Sequence, residues 1–421
     1  MYLLGIVILV IVTVFLSIAC LKGDQNEITD IYFKITWDEF SSRGVAISKI
    51  VNGFNEQQKD IHVTMVGGSE DKTVFNDALD NQVDVLMIPY RYLRDSDIAN
   101  RLVVLDDIYM EQEEFFYDSV RAMSFWKGHA IGIPWIGHSM GLIYNEDLLD
   151  EAGIDPKSLA SMQDLLEACE QIKQTTGAGG LGLVGANDHD LSWMVSQFIY
   201  SFDGALVEVD EEHNQIGIVI NSVQSEAALD FYINQLGLYA QRGWEMDTGA
   251  EVMEAFAERE IAFEIQGPWG VTDIWKRGNP FKVGALSLNQ IGMYSEFGPM
   301  LLSVNQESEN IDAAKVFIRY LTQKDVLAEV MDGEYDEKYE AYFPYRVPLR
   351  KDMEDSEFFQ RYPEFLVFIE GYKKPSINAI TTEWEEVYND YYEYYIHEAI
   401  MGNISIAQAL TDIENKRPHE K

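Results

Sequence analysis

The chain has 421 residues, 47% hydrophobic and 24% charged, long enough for two or three domains with globular cores. Its 31 Lys and Arg against 71 Asp and Glu leave a formal net charge of −40, which argues against binding nucleic acid or anionic lipid headgroups, since both need a basic surface. An aromatic content of 12% excludes a disordered chain, and two cysteines supply neither a disulfide framework nor a Cys-based zinc site.

Residues 2–19 carry no charge and are nearly all apolar, the length of a secretory core segment or a short membrane span. The run ends in Leu16-Ser17-Ile18-Ala19-Cys20 and turns polar at once through Lys22-Gly23-Asp24. A small residue before a cysteine at the end of an apolar run resembles the lipobox of bacterial lipoproteins. That implies a signal peptide over 1–19, a lipidated Cys20 and a tether over 20–27. An uncleaved membrane anchor and plain secretion are the other readings, and all three put the rest of the chain outside the cytoplasm. Cys169 falls at helical spacing with Leu165 and Ile172, as a buried, inert thiol would.

Ile31, Phe33, Ile35 and Trp37 alternate with polar residues and predict a strand. Val45 to Phe54 follows at helical spacing, then a strand over 61–66, a helix around Val74 to Leu79, and a buried strand over 83–88. This β-α-β-α-β order predicts a parallel sheet faced by helices. Strands follow over 131–135 and 141–144, then a helix over 146–152 stopped by Gly153 and a helix capped by Ser161 and ended by Gly177. Val219 and Ile220 read as strand, Ser222 as a cap, 227–238 as helix, 261–265 as strand and 311–321 as an amphipathic helix. The acidic stretch 332–340 reads as a solvated loop or helix edge. Near the C-terminus Trp384, Val387, Tyr388, Tyr391, Tyr395 and Ala399 share one helical face. So much alternation exceeds one core and predicts two α/β lobes.

Catalytic templates are missing: there is no Walker A, Gly-x-Ser-x-Gly or His-Glu-x-x-His motif. Gly177-Ala178-Gly179-Gly180 follows a helix instead of opening one, so it is a poor phosphate cradle. Asp188-His189-Asp190 is the one tight His/carboxylate cluster, and a hydrogen-bonding loop is preferred there over a metal site. The aromatic residues carry more information. Open α/β sheets bind ligands beyond the carboxyl ends of their strands. Trp37, Tyr90, Trp135 and Trp269 all fall at such ends, where flat amphipathic faces can stack on sugar rings.

Several segments together resemble a known family. They are Gln266-Gly267-Pro268-Trp269 after Ala255-Phe256, Gly132-Ile133-Pro134-Trp135, and Met140 through Leu149 with its Tyr144-Asn145-Glu146-Asp147-Leu148. Ala152-Gly153-Ile154-Asp155-Pro156, Phe202-Asp203-Gly204, and Phe343-Pro344-Tyr345-Arg346-Val347-Pro348-Leu349-Arg350 follow. Pro375, Trp384, Gly402, Ser405 and Ala407-Gln408-Ala409-Leu410 close the series. In this order they resemble the extracellular solute-binding proteins of sugar ABC transporters, the maltose-binding-protein-like family, over about 28–416. The resemblance implies a periplasmic-binding-protein-like α/β fold of two lobes. Three crossing segments, near 134–142, 297–304 and 345–350, would join them with the ligand cleft between. Lobe one would hold 28–136 plus 298–345, and lobe two 140–296 plus 347–416.

The resemblance also implies a binding protein with no enzymatic activity, cofactor or metal. It would be a monomer that passes a di- or oligosaccharide to a membrane permease driven by an ATPase. A binding protein of the same fold for a non-sugar solute such as a polyamine, and an extracellular carbohydrate-active enzyme, are the competing readings. Carried onto matching positions, Trp269 is the leading stacking platform. Trp384 is next, with packing in the last helix as its rival role. Trp37, Asp38, Glu39, Tyr90 and Arg91 are the lobe-one candidates, and Asp188 and His189, with Trp193 behind them, those of lobe two. His138 and Ser139 lie at the first crossing and could serve hinge or ligand. Arg346 could meet ligand, although a salt bridge to a local carboxylate is the favoured expectation.

Overall fold

A computed structural model gives the fold, described over residues 28–209, 215–373 and 391–417. The apolar N-terminal run, Cys20, the tether and Trp384 lie outside the described residues. Two sheets organise the chain. The larger has six strands in the order Val347–Pro348, Ile133–Gly137, Met300–Val304, Val85–Pro89, Thr29–Lys34, Ile61–Val66. Its first three strands in sequence pair in parallel, as the early β-α-β-α-β pattern predicts, and Met300–Val304 joins antiparallel to Val85–Pro89. The smaller sheet runs Val283–Ser287, Gly141–Asn145, Ile261–Gln266, Gly179–Leu181. Each sheet centres one lobe.

Local chemistry sets the helix ends. Ser41 accepts from the Gly44 amide to start helix Ser42–Gln57, and Asn145 accepts from the Leu148 amide to start Glu146–Ala152. Gly153 ends the latter at φ 72°, a left-handed conformation that glycine adopts without the Cβ cost. Ser161 caps Met162–Thr175 as its sequence signature predicts. That helix buries Cys169 fully, and burial pushes its thiol up to about 12, so it is an unreactive core group.

Some expectations shift. The strand placed at Val219 and Ile220 lies earlier, at Gln215–Ile218. The helix expected over 227–238 begins at Val223, passes through a wide turn at Phe231–Gln235 and ends in a tight one at Leu236–Tyr239. There Asn234 and Gln235 both donate to the Asp230 carboxylate. The acidic stretch is not a solvated loop. Glu334–Asp336 pairs with Ala341–Phe343 as an antiparallel ribbon, held by a Tyr335–Tyr342 ring contact at 5.0 Å. Half-buried Glu334 in that ribbon takes Arg43 at 3.7 Å and Lys276 at 3.2 Å. At the expected third crossing, Val347–Pro348 stays in the larger sheet and Arg350 bonds to Gln112 and Thr322, so the chain leaves that lobe later than 346.

Trp135 also departs from expectation. It is fully buried in the larger lobe, edge-on to Phe33, with Nε1 donating to the Leu321 carbonyl at 3.1 Å. It is a core residue and reaches no cleft. Trp135→Ala is expected to cost roughly 3–5 kcal/mol in urea unfolding, the range for emptying a large aromatic site.

Candidate functional site

The chain crosses between sheets at 138–140, and again on the way from Val283–Ser287 to Met300–Val304. These two passages pair with each other. The Met140 amide donates to the Glu296 carbonyl at 2.9 Å, the Gly298 amide to the His138 carbonyl at 2.9 Å, and Ser139 bridges Phe297. Ser139 also donates to the Phe368 carbonyl at 2.6 Å, tying down the segment that follows the third passage. Ser139 is therefore a strut of the hinge. Further out the lobes touch directly. Helix Pro268–Lys276 of the smaller lobe meets the 334–346 segment of the larger one through Thr272 donating to the Pro344 carbonyl, Tyr339 donating to the Lys276 carbonyl, and the Lys276–Glu334 ion pair.

A cavity of about 440 Å³ lies between the lobes at this hinge. The larger lobe contributes strand-end residues: Glu70 beyond Ile61–Val66, Tyr90 and Arg91 beyond Val85–Pro89, and His138 beyond Ile133–Gly137. The smaller lobe contributes His189, Ser192 and Trp193 from the start of helix His189–Ser201. Glu296 and Arg346 close it from the crossing segments. A second hollow of about 510 Å³ shares Glu70 and Arg346 and holds Trp37, Asp38, Arg43 and Tyr345.

The sequence candidates divide by place. Tyr90, Arg91, His138, His189 and Arg346 meet in the inner cavity, and Trp37 and Asp38 in the adjoining hollow. Trp37 is largely buried, edge-on to Tyr345 at 5.7 Å. Glu39 faces a different hollow, of about 820 Å³, on the outer side of helix Ser42–Gln57. Asp188 caps helix His189–Ser201 through the Asp190 amide and pairs with His189 at 2.9 Å. Asp190 accepts from Trp193 Nε1 and from the Gly249 amide, so the cluster is spent on starting the helix and holding Trp193. Trp269 is half-buried and wedged between the lobes, 4.9 Å from the His138 ring and 5.9 Å from Tyr345. The Arg346 guanidinium lies over it at 4.6 Å and over Tyr345 at 4.2 Å.

Comparison with known proteins decides the family. Residues 49–367 match the model of the bacterial extracellular solute-binding protein family. The chain belongs to that family. YcjN of Escherichia coli K12, a candidate ABC transporter periplasmic-binding protein, is 23% identical over 304 residues, 68% of this chain and 67% of its own length. Among solved structures, the GacH receptor of Streptomyces glaucescens, determined unliganded and with acarbose, superposes with a TM-score of 0.73 at 19% identity, covering 93% of this chain and 97% of its own. Maltose-bound MalE3 of T. maritima superposes at 0.74 with 19% identity, covering 92% and 98%. Identities this low establish the two-lobe fold alone. The family makes this chain a solute-binding protein that works with an ABC transporter, a binder of small molecules and not an enzyme.

The electrostatics around this cavity are unusual. Arg346 Nε and Nη1, His138 Nδ1, Glu296 Oε2 and the Tyr372 hydroxyl are buried without a hydrogen-bond partner among the described residues. Buried polar atoms are normally paired, so such a group at one junction singles it out as the candidate site. Burial, reinforced by the Arg346 charge, holds the His138 ring well below its ordinary pKa and hence neutral. Burial keeps Tyr90 and Tyr372 protonated. Burial also pushes the Glu296 carboxyl up to about 7, opposed by Arg91 and reinforced by Asp190. The expected carboxylate partner of Arg346 is absent among the described residues. The one carboxylate that acts on it, Glu70, pairs instead with Arg91 at 3.2 Å.

Sequence reasoning missed Glu296, Glu70, Ser192, Tyr345 and Tyr372. Only Glu70 carried a signal, in the Gly67-Gly68-Ser69-Glu70 turn that ends a strand. A raised carboxyl means that the folded state holds a proton which the unfolded chain releases, so Glu296 costs stability as pH rises from about 4.5 to 7. Glu296→Gln is expected to stabilise the unliganded protein by roughly 2 kcal/mol at pH 8, and to leave stability near pH 4 unchanged, in denaturant titrations at both pH values.

Proposed function

We propose that this chain captures a sugar between its two lobes and delivers it to the permease of an ABC importer. The observation that carries the proposal is the inter-lobe cavity, where flat aromatic side chains and unpartnered polar atoms occur together. Trp193 and Tyr90 offer faces for the C–H side of a sugar ring, while Glu296 and Arg346 offer hydrogen bonds for its oxygens. A cavity of about 440 Å³ suits one or two rings, and the adjoining hollow leaves room for more. The maltose bound by MalE3 and the acarbose bound by GacH accord with this reading. A polyamine site would want several unopposed carboxylates, and here Glu70 is paired with Arg91 while burial raises Glu296 to about 7, leaving it partly protonated at neutral pH.

The lobes proposed are about 28–136 plus 298–350 and 140–296 plus 351–416, the third passage following the sheet pairing of Val347–Pro348 and the bonds of Arg350. The contacts of Trp269 with Tyr345 and Arg346 join the two lobes and are proposed to belong to the closed clamp. Trp384, with its place outside the described residues, stays a sequence-based candidate for ligand stacking. The protein is proposed to act as a monomer held to the membrane by lipid on Cys20 after removal of 1–19. Cys20→Ser is expected to move it from the membrane to the soluble fraction, and its retention there would favour an uncleaved helix.

A thermal-shift panel of mono- to oligosaccharides, polyamines and amino acids tests the function. A saturating sugar is expected to raise the melting point by mass action, and a response to polyamines alone would overturn the sugar reading. Trp193→Ala is expected to weaken sugar binding by about tenfold, the value of one aromatic platform, with little change in the unliganded melting point.

A further inference from the structure

Two buried arginines lie four residues apart and are treated in opposite ways. Arg350 and Arg346 are each 5% exposed. Arg350 is fully neutralised: Nε and Nη2 bind both oxygens of Asp352 at 2.9 and 2.8 Å, and Nη1 donates to Gln112 and to the Thr322 carbonyl. Arg346 has no ion pair among the described residues and leaves two buried nitrogens unsatisfied. A buried guanidinium without a counter-charge costs several kcal/mol, which is why such groups are normally paired. Its position is nonetheless fixed, by Trp269 and Tyr345 packed on it and by Arg43 stacked over Tyr345 at 3.7 Å.

The charged side chains lining the two hollows are mixed, with Asp38, Glu70, Asp71, Glu296 and Glu334 beside Arg43 and Arg91, and none of these acids forms an ion pair with Arg346. Arg43 and Arg91 lie close by, and their partners Glu334 and Glu70 leave them no net negative surplus to offer Arg346. The buried Tyr372 hydroxyl, near enough to Arg346 for the two to interact electrostatically, is without a partner among the described residues and stays protonated, which leaves it a free donor. A neutral sugar could fill these hydrogen bonds but would leave the charge uncompensated. An anionic oxygen group would satisfy both, and the planar fork of Arg346 fits its two oxygens.

We propose that the solute is an acidic sugar, carrying a carboxylate or a phosphate, and that its anionic group seats on Arg346 with Tyr372 donating beside it. This rests on the sugar-binding reading above. The test uses the full chain in detergent, with calorimetry and thermal shift. The probes are galacturonate, digalacturonate and glucose 6-phosphate, against galactose, maltose and glucose. At least one acidic sugar is expected to bind about 30-fold or more tighter than its neutral counterpart, and Arg346→Gln to erase that difference. The uronate and phosphate arms tell which acid is read. Neutral sugars binding as tightly as acidic ones would overturn the inference and leave the sugar reading standing. No response to any sugar would overturn both. A second variant needs no ligand: Arg346→Met, which removes an uncompensated charge, is expected to melt no lower than the parent without ligand. A drop of several degrees would make Arg346 a structural strut and overturn the assignment.

Discussion

The site depends on a short piece of backbone pairing. His138 to Met140 and Glu296 to Gly298 run side by side and exchange hydrogen bonds at 2.9 Å, and the third segment is tied to them through Ser139. Two sheets with their own cores are thereby held at one narrow junction, with the carboxyl ends of their strands turned toward each other. The packing there is tight: a Cβ on Gly298 would stand 2.3 Å from the His138 ring, and one on Gly371 would stand 2.2 Å from the Ser139 hydroxyl. A junction made of a few backbone bonds can bend, whereas the sheets on either side, with strands such as Val85–Pro89 and Ile261–Gln266 buried throughout, cannot.

Around that junction the chain leaves buried polar atoms without partners among its described residues. This is unfavourable in the unliganded protein, and it makes sense where binding supplies the missing partners. The closing contacts on the outer side, from Lys276 to Glu334 and from Thr272 to Pro344, are satisfied within the protein and hold the lobes in register. The inner contacts are left open. This division separates what holds the clamp shut from what recognises the solute, and only the second depends on the chemistry of the ligand.

Much of the fold was legible in the sequence because it rests on local rules. The strand at Ile61–Val66, the helix Glu146–Ala152 with its Gly153 stop, and the helix Ile311–Leu321 all fall where periodicity and capping put them. The ordered family segments supplied the two-lobe architecture. The failures have one cause, which is that long-range partners leave no local trace. Nothing in the acidic run at 332–340 shows that Glu334 pairs with Arg43 of its own lobe and with Lys276 across the lobe boundary. Trp135 and Trp269 have similar strand-end settings in sequence, yet one is core and the other lies between the lobes. Tyr90, Arg91, His138, His189 and Arg346 were legible as cavity residues because they fall at strand ends, a helix start or a crossing. The unpaired state of Arg346 was not, since abundant acids argued for a salt bridge that the geometry does not make.

The formal charge of −40 does not give Arg346 an ion-pair partner: Glu70, Asp71 and Glu296 line the same cavity, yet Arg346 Nε and Nη1 stay without a partner among the described residues. The most direct measurement is a crystal structure of the protein with its bound solute. The account predicts ligand oxygens within about 3.2 Å of Arg346 Nε and Nη1, at the junction of the two lobes. A solute bound in the outer hollow beside Glu39, with Arg346 still unpaired, would contradict it.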